Sequence, residues 1–106
     1  MALREGTIKL LQERYKDRFG KAMLSSAYVK GLTVVYDDGQ PVITARVPGE
    51  TKEHACYVDV DSYYCDCKDA TIRKRPCKHV LQMLLLAERE EKIDELTLLA
   101  LAIRTK

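Results

Sequence analysis

Three cysteines and one histidine, paired as Cys65-x-Cys67 and Cys77-x-His79, constrain this 106-residue chain more than any other feature. On an extended strand, residues two apart point to the same face, so Cys65 and Cys67 present both sulfurs to one point. Within a helix, residues two apart diverge, so Cys77 and His79 converge only where Cys77 stands ahead of the first regular turn. Pro76 places that start, because it drives Arg75 out of helical geometry and itself suits the beginning of a helix. The unpaired N–H groups of a first turn also favour a thiolate over a thiol. Three thiolates and an imidazole make a closed tetrahedral shell, the ordinary composition of structural zinc, so Cys65, Cys67, Cys77 and His79 are read as its ligands. Iron suits such a mixed shell on a small domain less well. The covalent rival is a disulfide joining Cys65 or Cys67 to Cys77, since a Cys65–Cys67 bond closes a strained ring.

The rest of the chain has room for one domain. Its longest apolar runs, 83–87 and 98–103, are too short to span a bilayer, and Arg4 and Glu5 stand where a signal peptide carries its apolar stretch. The expectation is an intracellular soluble protein (cytoplasm, nucleoid or nucleus), in which four cysteines point to metal ahead of disulfides. Ile8, Leu11, Tyr15, Phe19 and Ala22 recur at helical spacing. They predict one helix or two consecutive ones, with Gly20 as the candidate break and Gly31 as the left-handed residue that ends the run. From Leu32 the period shifts towards two. Val34 and Tyr36, then Ile43, Ala45 and Val47, have strand character about a turn at Asp37-Asp38-Gly39, and Pro48-Gly49 closes the second run. A third strand is expected over residues 54–60, with Cys56, Val58 and Val60 on one face, before Asp61-Ser62 turns the chain into Tyr63-Tyr64-Cys65. Helices follow over residues 80–90 and 92–103. The class is α+β: a small antiparallel meander of about four strands, with an N-terminal helix, a zinc site and two C-terminal helices.

The stretch 57–84 resembles the SWIM-type zinc finger, whose pattern is Cys-x-Cys, a variable spacer, then Cys-x-His opening a helix. The string Arg75-Pro76-Cys77-Lys78-His79-Val80 is close to that family's usual ending. Tyr57-Val58-Asp59-Val60 and Tyr64-Cys65 fit the strand that leads into the first ligand pair. Lys68-Asp69-Ala70-Thr71-Ile72 departs from the proline and aromatic residue that often follow the second cysteine. On this resemblance residues 1–106 form a single SWIM-type domain, with a helical region at 1–31, the core motif at 57–84 and a last helix at 92–103. The arrangement is similar to small stand-alone SWIM proteins, which are associated with DNA and with RecA-family recombinase paralogues in Shu-type recombination complexes. The resemblance implies DNA and such a paralogue, or a second copy of the chain, as partners in recombination or repair. A protein-interaction adaptor or homodimeric scaffold with little DNA contact is the alternative.

Charge is uneven beneath the net +2: residues 1–31 sum to +4, 32–64 to −4, 65–79 to +3 and 80–106 to −1. Lys68, Arg73, Lys74, Arg75 and Lys78 crowd around the ligand pairs. Zinc with three thiolates carries a net charge of about −1, so two roles are open to these cations: neutralising the cluster or pairing with nucleic-acid phosphate. The reading favours DNA backbone, single-stranded or branched ahead of duplex, with an exposed tyrosine of the Tyr63-Tyr64 pair stacking on an unpaired base. Cys56, on a face with Val58, is read as a buried structural thiol, and His54 as a solvated surface residue. In the last helix, Ile93, Leu96, Ala100 and Ile103 fill one stripe that covers the sheet. That leaves Leu98 and Leu101 on the other side as a docking surface for a protein partner; burial against the N-terminal helix is the competing arrangement. The sequence holds no nucleophile–base pair and no glycine-rich phosphate loop, so no catalytic residue, small-molecule substrate or membrane partner is expected.

Overall fold

The computed structural model describes residues 3–49, 52–66 and 77–103. The N-terminal stripe forms two helices, α1 (Glu5–Tyr15) and α2 (Asp17–Ser25). They divide at Lys16, whose backbone takes a positive φ of 54°, and not at Gly20, which lies within α2. Leu11, Tyr15, Phe19 and Ala22 are buried, as their spacing predicts. A short 3-10 turn at Ser26–Tyr28 leads into the sheet, so Gly31 ends no helix. Its positive φ of 63° serves a bulge instead, where the strand register slips between Lys30 and Thr33.

Strands β1 (Lys30–Asp37), β2 (Gln40–Pro48), β3 (Glu53–Val58) and β4 (Tyr63–Cys65) form an antiparallel meander in the order β1-β2-β3-β4. Asp38 and Gly39 connect β1 to β2 with φ values of 52° and 76°, the left-handed pair that a type I′ hairpin turn requires. Val34, Ile43, Val58 and Tyr63 stand opposite one another across the strands and face the core. Thr33, Thr44, Tyr57 and Tyr64 form the next row, on the outer face. Strand β3 stops before Val60. The Asp59 carboxylate accepts from the N–H groups of Asp61 at 2.8 Å and Ser62 at 2.7 Å, which bends the chain and leaves Val60 exposed instead of on the Cys56–Val58 face.

Helix α3 (Lys78–Arg89) packs against β2 and β3 on one side and α2 on the other. It is therefore buried almost all round, which accounts for its unbroken apolar sequence. Among the described residues, no helix is long and apolar enough to cross a membrane. Helix α4 (Glu95–Ala102) begins at Asp94, whose carboxylate accepts from the Thr97 N–H at 2.7 Å.

The expected docking surface on this last helix is corrected. Residues 92–94 are not helical: Glu91 has a φ of 60° and Asp94 is extended. Ile93 thus reaches the core from outside the helix and does not set its phase. Leu98 and Leu101, 0% and 2% exposed, face the core with Ala102, while Leu96, 78% exposed, faces water. The Tyr15 hydroxyl donates to the Ala102 carbonyl at 2.6 Å and the Thr7 hydroxyl bonds the Glu95 carboxylate, so α1 holds both ends of α4. Leu98→Ala should destabilise the fold by about 2–5 kcal/mol, while Leu96→Ala stays within about 0.5 kcal/mol. Denaturant unfolding of the two variants measures this, and a larger loss at Leu96 would contradict the phase.

Candidate metal centre

Strand β4 ends on Cys65 and α3 begins beside Cys77, so sheet and helix each deliver part of the site. Cys77 is the extended residue ahead of the helix (φ −95°, ψ 178°), and His79 lies in the first turn. This is the arrangement that the Cys77-x-His79 spacing requires. His79 Nδ1 lies 3.7 Å from Cys65 Sγ and 3.7 Å from Cys77 Sγ. All three ligand atoms lie within 4.8 Å of one another, on buried side chains. Zinc held tetrahedrally at about 2.3 Å by sulfur and about 2.0 Å by nitrogen sets such pairs roughly 3.6 Å apart, so these donors fit that ion. Cys67, the expected fourth ligand, lies outside the described residues, as do Lys68, Arg73, Lys74 and Arg75. Lys78 is the half-buried first residue of α3, directly beside Cys77 and His79.

The electrostatics of the cluster call for a cation. The Cys77 thiol is pushed up to about 12, first by its hydrogen bond with Cys65 and then by burial, while the His79 ring and the Val80 N–H pull the other way. At neutral pH such a thiol stays protonated until a metal ion displaces the proton, so zinc uptake releases protons and weakens as pH falls.

Behind the ligands stands a second group that the sequence reading misses. His54 is not a solvated residue: its side chain is 14% exposed, and Nδ1 lies 2.5 Å from Asp66 Oδ1. Its ring centroid lies 4.3 Å from that of His79, tilted by 34°. Lys52 Nζ sits 3.5 Å from the other Asp66 oxygen. The His54 hydrogen bond, aided by Lys52, holds the Asp66 carboxyl below its ordinary range. A Cβ at position 49 would meet His54 Nε2 at 2.5 Å and the Lys52 carbonyl at 2.8 Å, so Gly49 leaves the room that the ring occupies. The available signal was the period of β3, which puts His54 on the inward face with Cys56 and Val58. Cys56 is buried, as expected, and its sulfur lies 3.6 Å from that of Cys65 without joining the three-ligand group.

The model of the SWIM zinc finger matches residues 33–87, just over half of the chain. This chain belongs to the SWIM zinc-finger family. No curated protein and no solved structure matches it. The SWIM match runs from β1 into α3 and takes in Cys65, Cys77 and His79. Cys65, Cys77 and His79 would hold the zinc with Cys67, and the ion supplies the positive charge that lets buried thiolates coexist.

Substitutions separate the ligands from their neighbours. Cys65→Ala should lose zinc and Cys56→Ala should retain it. His54→Ala should keep the ligand set and the zinc stoichiometry but lower zinc affinity, because it removes the ring packed against that of His79. Chelator competition reads all three. Full affinity without His54, or zinc loss without Cys56, would contradict the assignment.

Proposed function

We propose that this SWIM module binds nucleic acid without catalysis, chiefly through DNA backbone that is single-stranded or branched, beside a protein partner in recombination or repair. The observation that carries the reading is the convergence of Cys65 and Cys77 on one metal centre. The sequence between them holds Lys68, Arg73, Lys74 and Arg75, so a cationic segment is pinned at both ends. Pinning lowers the conformational entropy that such side chains and their backbone lose on binding phosphate.

Charge around the sheet is polarised in the same sense. Asp37, Asp38, Asp59 and Asp61 sit at the hairpin tips, whereas Lys30, Arg46 and Lys52 lie towards the end where β4 delivers Cys65, with Lys30 paired to Glu53 and Lys52 to Asp66. On the outer face Tyr64, 54% exposed, stands opposite Tyr57 and offers a ring for an unpaired base, while Tyr63 packs against the core. With Cys67 completing the set, zinc would have four protein ligands and no position open to a reacting water, which favours binding over chemistry. The partner reading, a RecA-family recombinase paralogue or a second copy, rests on the resemblance to small stand-alone SWIM proteins. Leu24 near the end of α2 and Tyr28 in the 3-10 turn that follows stand exposed and offer it apolar contact in place of Leu98 and Leu101.

Replacing Arg73, Lys74 and Arg75 together with neutral residues should weaken binding to all DNA sequences alike. It should also lower the log–log salt slope by about 0.7–0.9 for each phosphate that is no longer neutralised. Fluorescence anisotropy with single-stranded, branched and duplex DNA over a salt series reads both quantities. Unchanged affinity and slope would return these cations to the role of counter-charges for the zinc cluster.

A further inference from the structure

Cys56 is a buried thiol that the ligand set does not use, and its position gives it a chemical opportunity. It lies on β3 directly opposite Cys65 on β4. The hairpin between them is closed by the Asp59 N–H donating to the Ser62 carbonyl at 2.9 Å. Hydrogen-bonded and non-hydrogen-bonded pairs alternate from that point, which places Cys56 and Cys65 at a non-hydrogen-bonded pair, where facing side chains come closest. Their sulfurs are 3.6 Å apart, and the residues are 3% and 1% exposed. The Cα separation at such a pair is about 4.5 Å, inside the window of about 4.4–6.8 Å that a disulfide spans. The sulfurs can therefore join by side-chain rotation alone. Joining Cys65 to Cys67 instead would close a strained ring across one intervening residue.

We propose that Cys56 and Cys65 form a peroxide-sensitive modification site, in which Cys56 is the resolving thiol and the resulting disulfide withdraws Cys65 from the metal. In the first step the Cys65 thiolate attacks one oxygen of hydrogen peroxide. An S–O bond forms and the O–O bond breaks, leaving a sulfenic acid and a hydroxide that takes a solvent proton to become water. In the second step the Cys56 sulfur attacks the Cys65 sulfur. The S–S bond forms, the S–O bond breaks, and the hydroxyl leaves with the Cys56 proton as a second water. The two cysteines together give up two electrons, and the peroxide is reduced to two waters. Zinc then lacks one of its ligands and is released. A thiol reductant reverses the modification, because Cys56 intercepts the sulfenic acid before it advances to the irreversible sulfinic acid. This inference concerns the metal centre alone and stands whether or not the module binds DNA.

The test uses the zinc-loaded full chain and hydrogen peroxide. A chromophoric chelator follows zinc release, and intact mass follows the loss of two hydrogens. Cleavage at the tyrosines between the cysteines (Tyr57, Tyr63 and Tyr64) then maps the linkage. The expected result is a Cys56–Cys65 disulfide that appears with zinc release, and recovery of zinc binding after dithiothreitol and fresh zinc. In Cys56→Ser, zinc loss should become irreversible, with Cys65 trapped as sulfinic acid. Retention of zinc under peroxide overturns the proposal. So does a disulfide between two ligand cysteines, or a Cys56 still open to alkylation after zinc has left. If Cys56→Ser does not hold zinc, the linkage map of the unmodified chain decides alone.

Discussion

Two buried sulfurs and an imidazole that meet where the sheet joins α3 are the constraint on which the rest of the structure depends. Cys65 ends the three-residue edge strand β4, and Cys77 stands just ahead of α3, the helix around which the core is built. An ion joining them ties the weakest strand of the sheet to the most buried helix. Apparent zinc binding in small fingers reaches about 10–16 kcal/mol, against about 5–15 kcal/mol for the whole stability of a typical domain. Loss of an ion binding on that scale would loosen the elements it joins first. The raised pKa of the Cys77 thiol follows from the same crowding, since its hydrogen bond with Cys65 and then burial oppose a lone thiolate.

Once Cys65 points inward, the period of a strand decides much of the rest. Tyr64 must face out and Tyr63 in, which separates a surface aromatic from a core one within a single dipeptide. The register then sets Cys56 against Cys65, and Ala45 against Cys56. One repeat further along β3 lies His54, whose ring rests on that of His79 and whose Nδ1 meets Asp66, the residue after Cys65. A single alignment of strands thus supplies the core row, the support behind the ligands and the aromatic on the open face. The acidic hairpin tips lie at the far end of the same strands, away from the metal.

Much of this was legible in the sequence because it depends on local rules. The type I′ turn needs left-handed residues, and Asp38-Gly39 supplies them. The Cys77-x-His79 spacing needs a helix start, and the chain places one there, while β4 carries the first ligand, Cys65, at its end. What was not legible depended on where regular structure begins. A helix run from Lys92 gives Ile93, Leu96, Ala100 and Ile103 one stripe, but the Asp94 cap starts α4 later and turns Leu98 and Leu101 inward. The N-terminal helices divide at Lys16, a residue with no turn preference, and Gly20 stays helical against its propensity. The role of His54 was hidden for a different reason. Nothing in ligand spacing asks for it, and only strand pairing brings it beside His79.

Amide hydrogen exchange, compared between the zinc-loaded chain and the same chain after chelation, tests the central claim most directly. If the ion ties β4 to α3, chelation removes protection from Tyr63 to Cys65 and from the first turn of α3, and lowers it across β3. Unchanged protection in β4 and the start of α3 after complete zinc removal would contradict the account.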